Sequence, residues 1–414
     1  MDPILRKNFS YLFLLQNINY IIPLLLLPYL TRVLGADNFG KIAFAQAFVA
    51  YFLILTEFGF GNSATQEIVR VRHDKDALSK VFWSTTYAKL FFATISFVIF
   101  ALLLLAIPKL GQMYLLLLVA FLAIPSSVLF PLWLFQGLEK MSWITWLNGI
   151  PKILVLIFTF LLVREKSDFT LALLIQVAGT FVSSLACVVL IAKQKTIRFC
   201  LPNRDNIKTT IAESWHFFAG GVATNIYTTT NTVVLGFISG DAVVGIFSAS
   251  ERIIRALIAL FSSMYQVTFP RINTYYHESK EQALIFAGKV LKVTAITTFL
   301  IGISLLVAAP LIVKILFGVP QYNETIVIMR LSSFLPFFAI CNGVLAVNLL
   351  FTFGLKRYVT RIVGAGGLFS ILLIVPAVLL FEARGVAVVA TLTEILISIL
   401  LLYVLKKNKI KIVL

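Results

Sequence analysis

The chain has 414 residues, of which 60% are hydrophobic and only 13% charged, and its mean hydropathy is +0.96. A soluble globular domain carries about 25% charged residues, so too little polar surface is present to dissolve a protein of this length. The net charge of +17, from 35 Lys and Arg against 18 Asp and Glu, would suit nucleic acid in a soluble protein. In an apolar chain it marks connections on one side of a membrane instead, so a multi-pass membrane protein that binds no nucleic acid is expected.

The first apolar run begins after Arg6 and Lys7, is long enough to span and lacks a small-residue cleavage site, so it reads as a retained helix. With about 20 residues per span, helices are predicted near 9–31, 42–62, 82–107, 113–135, 143–163 and 169–192. The second half gives 214–238, 243–268, 290–312, 325–349, 359–381 and 386–405. The fold class is thus an all-α membrane protein of about twelve spans, with Pro23, Pro28, Pro125, Pro131 and Pro336 read as kinks within them. The N-terminus and even-numbered connections carry about 22 Lys and Arg and the odd-numbered ones about 7, which places both termini in the cytoplasm. The longest polar connection contains Pro202-Asn203-Arg204-Asp205-Asn206 and reads as a linker. The expected organisation is a six-helix bundle over 1–192, a cytoplasmic linker over 193–213 and a second bundle over 214–414.

The halves look related. Gly35-Ala36-Asp37-Asn38-Phe39-Gly40 joins the first two predicted helices, and Gly240-Asp241-Ala242-Val243-Val244-Gly245 occupies the same place between the seventh and eighth. Six helices per half make this a parallel repeat about an axis along the membrane normal.

An unpaired charge at membrane depth is costly and faces a wet, protein-lined interior. Arg252 and Arg255, three apart on one helical face, lie about 14 and 18 Å beyond Val243 at 1.5 Å per residue. Arg suits bidentate phosphate binding; the structural alternative is that Glu251 neutralises Arg255 at i,i+4. Lys152 follows Pro151 in the middle of the fifth predicted helix, too deep to snorkel comfortably. Lys89 is a further candidate anion ligand, although it, Lys292 and Arg330 sit near enough to helix ends to snorkel. Arg32 is either an interfacial anchor or an exit-side counterion. Glu57, Glu251 and Glu394 are the acidic residues within spans and candidates for coupling to a proton or sodium gradient, with pairing to lysine as the plain alternative. Gln46 shares a helix face with Glu57. Thr224, Asn225, Thr228, Asn231 and Thr232 form a polar stripe on the seventh helix, as do Gln16, Asn17, Asn19 and Tyr20 on the first. Such stripes either glue helices together or line a sugar-compatible wall, for which Asn225 and Asn231 are the candidate ligands.

Enzyme signatures are missing. His73 and His277 fall in connections, His216 starts a helix, and none has a carboxylate pair or metal-ligand spacing around it. Cys187, Cys200 and Cys341 are scattered and odd in number, so neither a disulfide framework nor a metal site is suggested, and no cofactor is expected. A glycan polymerase would need larger outer connections than are present. A drug/cation antiporter would need acids rather than bases to dominate the interior.

Pro131-Leu132-Trp133-Leu134-Phe135-Gln136-Gly137-Leu138-Glu139-Lys140-Met141 resembles the WxFQGxExM signature of the bacterial O-antigen flippases (Wzx-like proteins). These belong to the polysaccharide transporter family of the multidrug/oligosaccharidyl-lipid/polysaccharide exporter superfamily. Similar in the same way are Pro23-Leu24-Leu25 with Pro28-Tyr29-Leu30-Thr31-Arg32-Val33-Leu34-Gly35, Phe39-Gly40, and Leu235-Gly236-Phe237-Ile238-Ser239-Gly240. The resemblance runs the whole length. It implies two six-helix bundles around a cationic central cavity, for which Arg32, Lys152, Arg252 and Arg255 are the matching residues here. It implies as substrate an undecaprenyl-diphosphate-linked oligosaccharide, moved between leaflets of the inner membrane by alternating access. Membrane lipid, a glycan polymerase and a chain-length regulator would be its partners.

Overall fold

A computed structural model of the chain describes residues 3–318 and 320–410, without the side chains of residues 3–10, 12–15, 223–227 and 263. Every regular element among them is helical. The first helix, α1 (Pro3–Glu57), would be about 80 Å long at 1.5 Å per residue, more than twice the ~30 Å of a bilayer's hydrocarbon. It is in fact two helices joined across a kink at Gly35 (φ 75, ψ 175), a conformation that glycine alone adopts without strain. After α2 (Phe60–Val71) comes α3 (Lys75–Ala106). Asp74 caps α3 by accepting from the N–H groups of Ala77 and Asp76 at 3.1 and 2.9 Å, and these two bonds hold its carboxyl below the usual carboxylate range.

The next stretch is segmented into α4 (Pro108–Gln112), α5 (Tyr114–Phe121), α6 (Ala123–Leu129) and α7 (Leu132–Gly137). Pro125 sits in the first turn of α6 and Pro131 directly precedes α7. Lacking an N–H, each proline is tolerated at a helix start, so these two begin new segments within Tyr114–Gly137, a stretch long and apolar enough to be one span. Then follow α8 (Met141–Leu162), α9 (Phe169–Gln194), α10 (Arg204–Ser239), α11 (Asp241–Glu278) and α12 (Lys280–Leu316). The irregular part of the polar connection between α9 and α10 is 195–203, because α10 already starts at Arg204. Beyond it lie α13 (Asn323–Leu331), α14 (Leu335–Gly343), a π-helical turn over Val344–Phe351 and α15 (Lys356–Lys407). Pro336 occupies the first turn of α14, and the chain bends by 44° between α13 and α14. α15 is likewise broken, at Glu382 (φ 47, ψ −128).

Among the described residues, seven helical stretches are long and apolar enough to cross a membrane, or eight if the bent α13–α14 pair counts as one span. Leu105, Leu380 and Val307 are 86%, 72% and 71% exposed. Such surfaces are stable against acyl chains and not against water.

The chain divides into two compact units, Met1–Tyr29 with Phe44–Asn225, and Leu30–Ala43 with Ile226–Leu414. The first has an aromatic core in which Phe52 meets Phe100 edge-on at 5.6 Å and Phe58 stacks between Phe92 at 4.2 Å and Phe218 at 4.3 Å. Buried hydroxyls tie its helices together: Thr56 to Ser96 at 3.2 Å, and Ser184 donating to the Ser126 carbonyl at 2.8 Å. The signature-bearing α7 packs here, with Trp133, Leu134 and Phe135 all buried. Gly137 faces Ile68 so closely that a Cβ would lie 2.5 Å from its Cγ2. The second unit centres on Ile272, Ala287, Leu345, Leu349, Ile397 and Leu401. Within it the two glycine motifs meet: a Cβ on Gly40 would lie 1.7 Å from the Asp241 carbonyl oxygen, and one on Gly245 would lie 2.0 Å from that of Ala36. The backbones cross there with no room for any side chain.

Candidate functional site

In the first unit Lys152 sits eleven residues after Met141 and ten before Leu162, the two ends of α8, which puts it about 15 Å from either end. It is half-buried. Its ammonium donates to Asn19 Oδ1, and no carboxylate lies within ion-pair distance of it among the described residues. An amide oxygen satisfies one of its three donors and leaves the charge uncompensated. Lys89 is the opposite case. It is 1% exposed, donates to Glu57 Oε1 at 2.8 Å and to the Ser127 carbonyl at 2.7 Å, and so carries its own counterion. Glu57 is thereby placed in an ion pair. Gln46, on the same helix, donates to Gln176 Oε1 at 3.1 Å.

In the second unit Arg32 reaches the C-terminus of α12. Its Nε donates to the Phe317 carbonyl at 3.2 Å and its Nη2 to that of Ile315. A cation on the last carbonyls of a helix complements the negative end of the macrodipole. Arg252 stacks over the Phe39 ring, 4.8 Å from its centroid. Arg255 donates from Nε to Glu251 Oε1 at 2.9 Å and from Nη2 to the Thr228 carbonyl at 3.2 Å. Glu251, on the same helix, is thus its counterion. Asn231 is 4% exposed, and its Oδ1 has no hydrogen-bond partner among the described residues. Glu394 accepts from Asn342 Nδ2 at 2.8 Å, and Ser398 donates to Asn342 Oδ1 at 2.7 Å. The side chains of Thr224 and Asn225 lie outside the described residues.

The candidates therefore fall into two groups, with Lys89, Glu57, Lys152 and Gln46 in one unit and Arg32, Arg252, Arg255, Glu251, Asn231 and Glu394 in the other. Chemically, Lys152 retains charge to offer a phosphate oxygen, and Arg252 offers a guanidinium held against an aromatic face. Sequence reasoning missed the residues that hold these cations. Asn19 appeared only as part of a polar stripe, and Phe39 only as part of a repeat. Tyr322, buried with its ring 5.0 Å from Phe317, carried no signal at all. The three cysteines are all free.

Residues 5–276 match the family described as polysaccharide biosynthesis protein. A curated relative from Escherichia coli (strain K12), named "Putative O-antigen transporter", is 31% identical over 405 residues, covering 98% of this chain and 97% of its own length. Among solved structures, a lipid II flippase MurJ in an inward closed conformation superposes with a TM-score of 0.77 at 16% identity, over 97% of this chain and 87% of that one. An inward-facing multidrug resistance MATE family transporter of the MOP superfamily gives 0.70 at 14% identity, over 97% and 98%. These two likenesses establish a shared fold. From the sequence match over most of its length, the chain belongs to the polysaccharide biosynthesis protein family.

Proposed function

We propose that this protein is a flippase for a lipid-linked oligosaccharide, an undecaprenyl-diphosphate-linked O-antigen repeat unit. It carries this substrate from the cytoplasmic to the periplasmic leaflet of the inner membrane and catalyses no covalent step. The observation that carries the reading is Lys152, a cation at mid-helix depth whose partner is a neutral amide. Such a charge is tolerated in a membrane protein where it meets water or an anionic ligand, and a diphosphate supplies that anion. Family membership and the likeness in fold to a lipid flippase and to exporters agree with this. A sugar headgroup and diphosphate lose several kcal/mol per unsatisfied group in hydrocarbon, so a polar path is required, and alternating access in two bundles provides one.

In the same reading the helices form twelve spans with both termini cytoplasmic. The breaks at Gly35 and Glu382 support counting α1 and α15 as two spans each, and the Lys and Arg bias of the connections supports the orientation. A glycan polymerase with its chain-length regulator would take over the product.

The test is complementation of a flippase-null strain. A lost charge-assisted hydrogen bond is worth about 1.5–3 kcal/mol, so Lys152→Ala is expected to lower surface polysaccharide at limiting expression by about tenfold or more, with Lys152→Arg restoring part of the loss. Normal polysaccharide from a Lys152→Ala, Arg255→Ala double variant would overturn the cationic-site reading.

A further inference from the structure

The connection between α9 and α10 sets exposed apolar side chains beside a run of cations. Phe199 is 70% exposed and Leu201 74%, yet the backbone between α9 and these residues is held firmly. Ile197 packs against the buried cluster of Ile68, Leu78 and Trp133. The Arg198 N–H donates to Ser79 Oγ at 2.9 Å, and its carbonyl accepts from Trp83 Nε1 at 3.0 Å. The Trp83 ring then meets Phe199 edge-on at 5.0 Å. The outward projection of Phe199 and Leu201 is therefore built in, against the usual cost of leaving large apolar surface in water.

Lys193, Lys195, Arg198, Arg204 and Lys208 are all exposed. Arg198 pairs with Asp76 at 3.2 Å, and the other four have no ion pair among the described residues. The stretch Lys166–Gln194 is itself apolar enough to span, so the connection emerges at a membrane surface. Tryptophan and other amphipathic rings settle at that depth, and clustered Lys and Arg beside a span attract anionic lipid headgroups.

We propose that residues 193–208 form an interfacial clamp for anionic phospholipid. Phe199 and Leu201 enter the boundary between headgroups and acyl chains, and Lys193, Lys195, Arg204 and Lys208 hold lipid phosphates. The clamp fixes this end of the first unit to the leaflet independently of what the protein transports.

The experiment uses the full chain in nanodiscs of phosphatidylcholine with or without phosphatidylglycerol. A spin label is placed at Leu201→Cys, and in a second protein at Phe199→Cys, with the three native cysteines replaced. In phosphatidylglycerol discs both labels should be open to oxygen and shielded from an aqueous nickel reagent. Converting the four unpaired cations to Gln should weaken phosphatidylglycerol retention in native mass spectrometry by about tenfold. Labels that stay open to nickel in both compositions would overturn the clamp, as would retention unchanged by the four substitutions. Shielding that appears only on adding an acidic protein would overturn it in favour of a protein-docking face.

Discussion

Lys89 and Glu57 form one ion pair, but their side chains are 2% and 42% exposed, and this asymmetry sets what each substitution costs. Removing Glu57 strands a buried ammonium with only the Ser127 carbonyl. Breaking a buried pair in this way costs about 3–5 kcal/mol. Removing Lys89 leaves a carboxylate that water can reach, and Lys89→Met refills most of the volume, so about 1 kcal/mol is expected. Thermal unfolding in detergent should rank Glu57→Ala well below Lys89→Met, and the reverse order would mean that the pair is not closed as described. The same pair shows where the sequence stops being legible. Depth within an apolar run identified Lys152, Lys89 and Glu57 as unusual from composition alone. Whether each is compensated depends on a residue on another helix, and no periodicity within one helix encodes that partner. Lys89 and Glu57, 32 positions apart, therefore read as a ligand and a proton carrier, whereas Lys152 and Asn19, 133 apart, leave a charge to spare.

Helices in a membrane approach closely through small residues, and the two glycine motifs do so in a paired manner. Gly35 (φ 75, ψ 175) and Gly240 (φ 88, ψ 175) adopt the same backbone conformation, and Gly40 and Gly245 each press on the backbone of the other motif. A methyl group at either crossing position meets a carbonyl oxygen rather than a flexible side chain, so the helices themselves must separate. Gly40→Ala and Gly245→Ala should lose folded protein in size-exclusion profiles. Gly61→Ala and Gly364→Ala, which have open space around the added carbon, should behave as wild type. The paired glycines were legible because their spacing survives in sequence. That Leu30–Ala43 packs with the second unit was not, since a contact between distant segments leaves no local pattern. A further link in that unit joins the start of α13 to the break in α15, where Arg384 Nη2 donates to Glu324 Oε2 at 3.0 Å. Both side chains are partly exposed, and an ion pair of that kind contributes little, so Glu324→Gln should lower the melting temperature in detergent only slightly; a large loss would contradict the pairing as described.

For the protein as a transporter, the equilibrium across the membrane is fixed by the charge that crosses, not by the side chains that assist. A diphosphate bearing two ester links carries about two negative charges, and each is worth about 2.3 kcal/mol per 100 mV. Uncoupled movement with the inside negative would then favour the outer leaflet by about 4.6 kcal/mol, roughly a 10³-fold ratio. Exchange against two inward-moving protons would add their charge movement to that of the diphosphate and strengthen the bias, whereas co-transport with two protons would be electroneutral and show none. If Lys152 holds the diphosphate as proposed, without itself crossing, Lys152→Gln should slow equilibration and leave the final leaflet ratio unchanged. Glu57 and Glu251 already serve as counterions. Glu394 accepts from the Asn342 amide, and its substitution tests the third of the acidic candidates. Proteoliposomes holding a fluorescent undecaprenyl-diphosphate sugar, clamped with potassium and valinomycin, separate these cases. A leaflet ratio that follows voltage and ignores a pH gradient indicates uniport. A ratio that follows the pH gradient and loses that dependence in Glu394→Gln indicates proton coupling through this residue. A final ratio altered by Lys152→Gln would show that the substitution changes which charges or ions cross with the substrate, which is incompatible with a lysine that only binds the diphosphate.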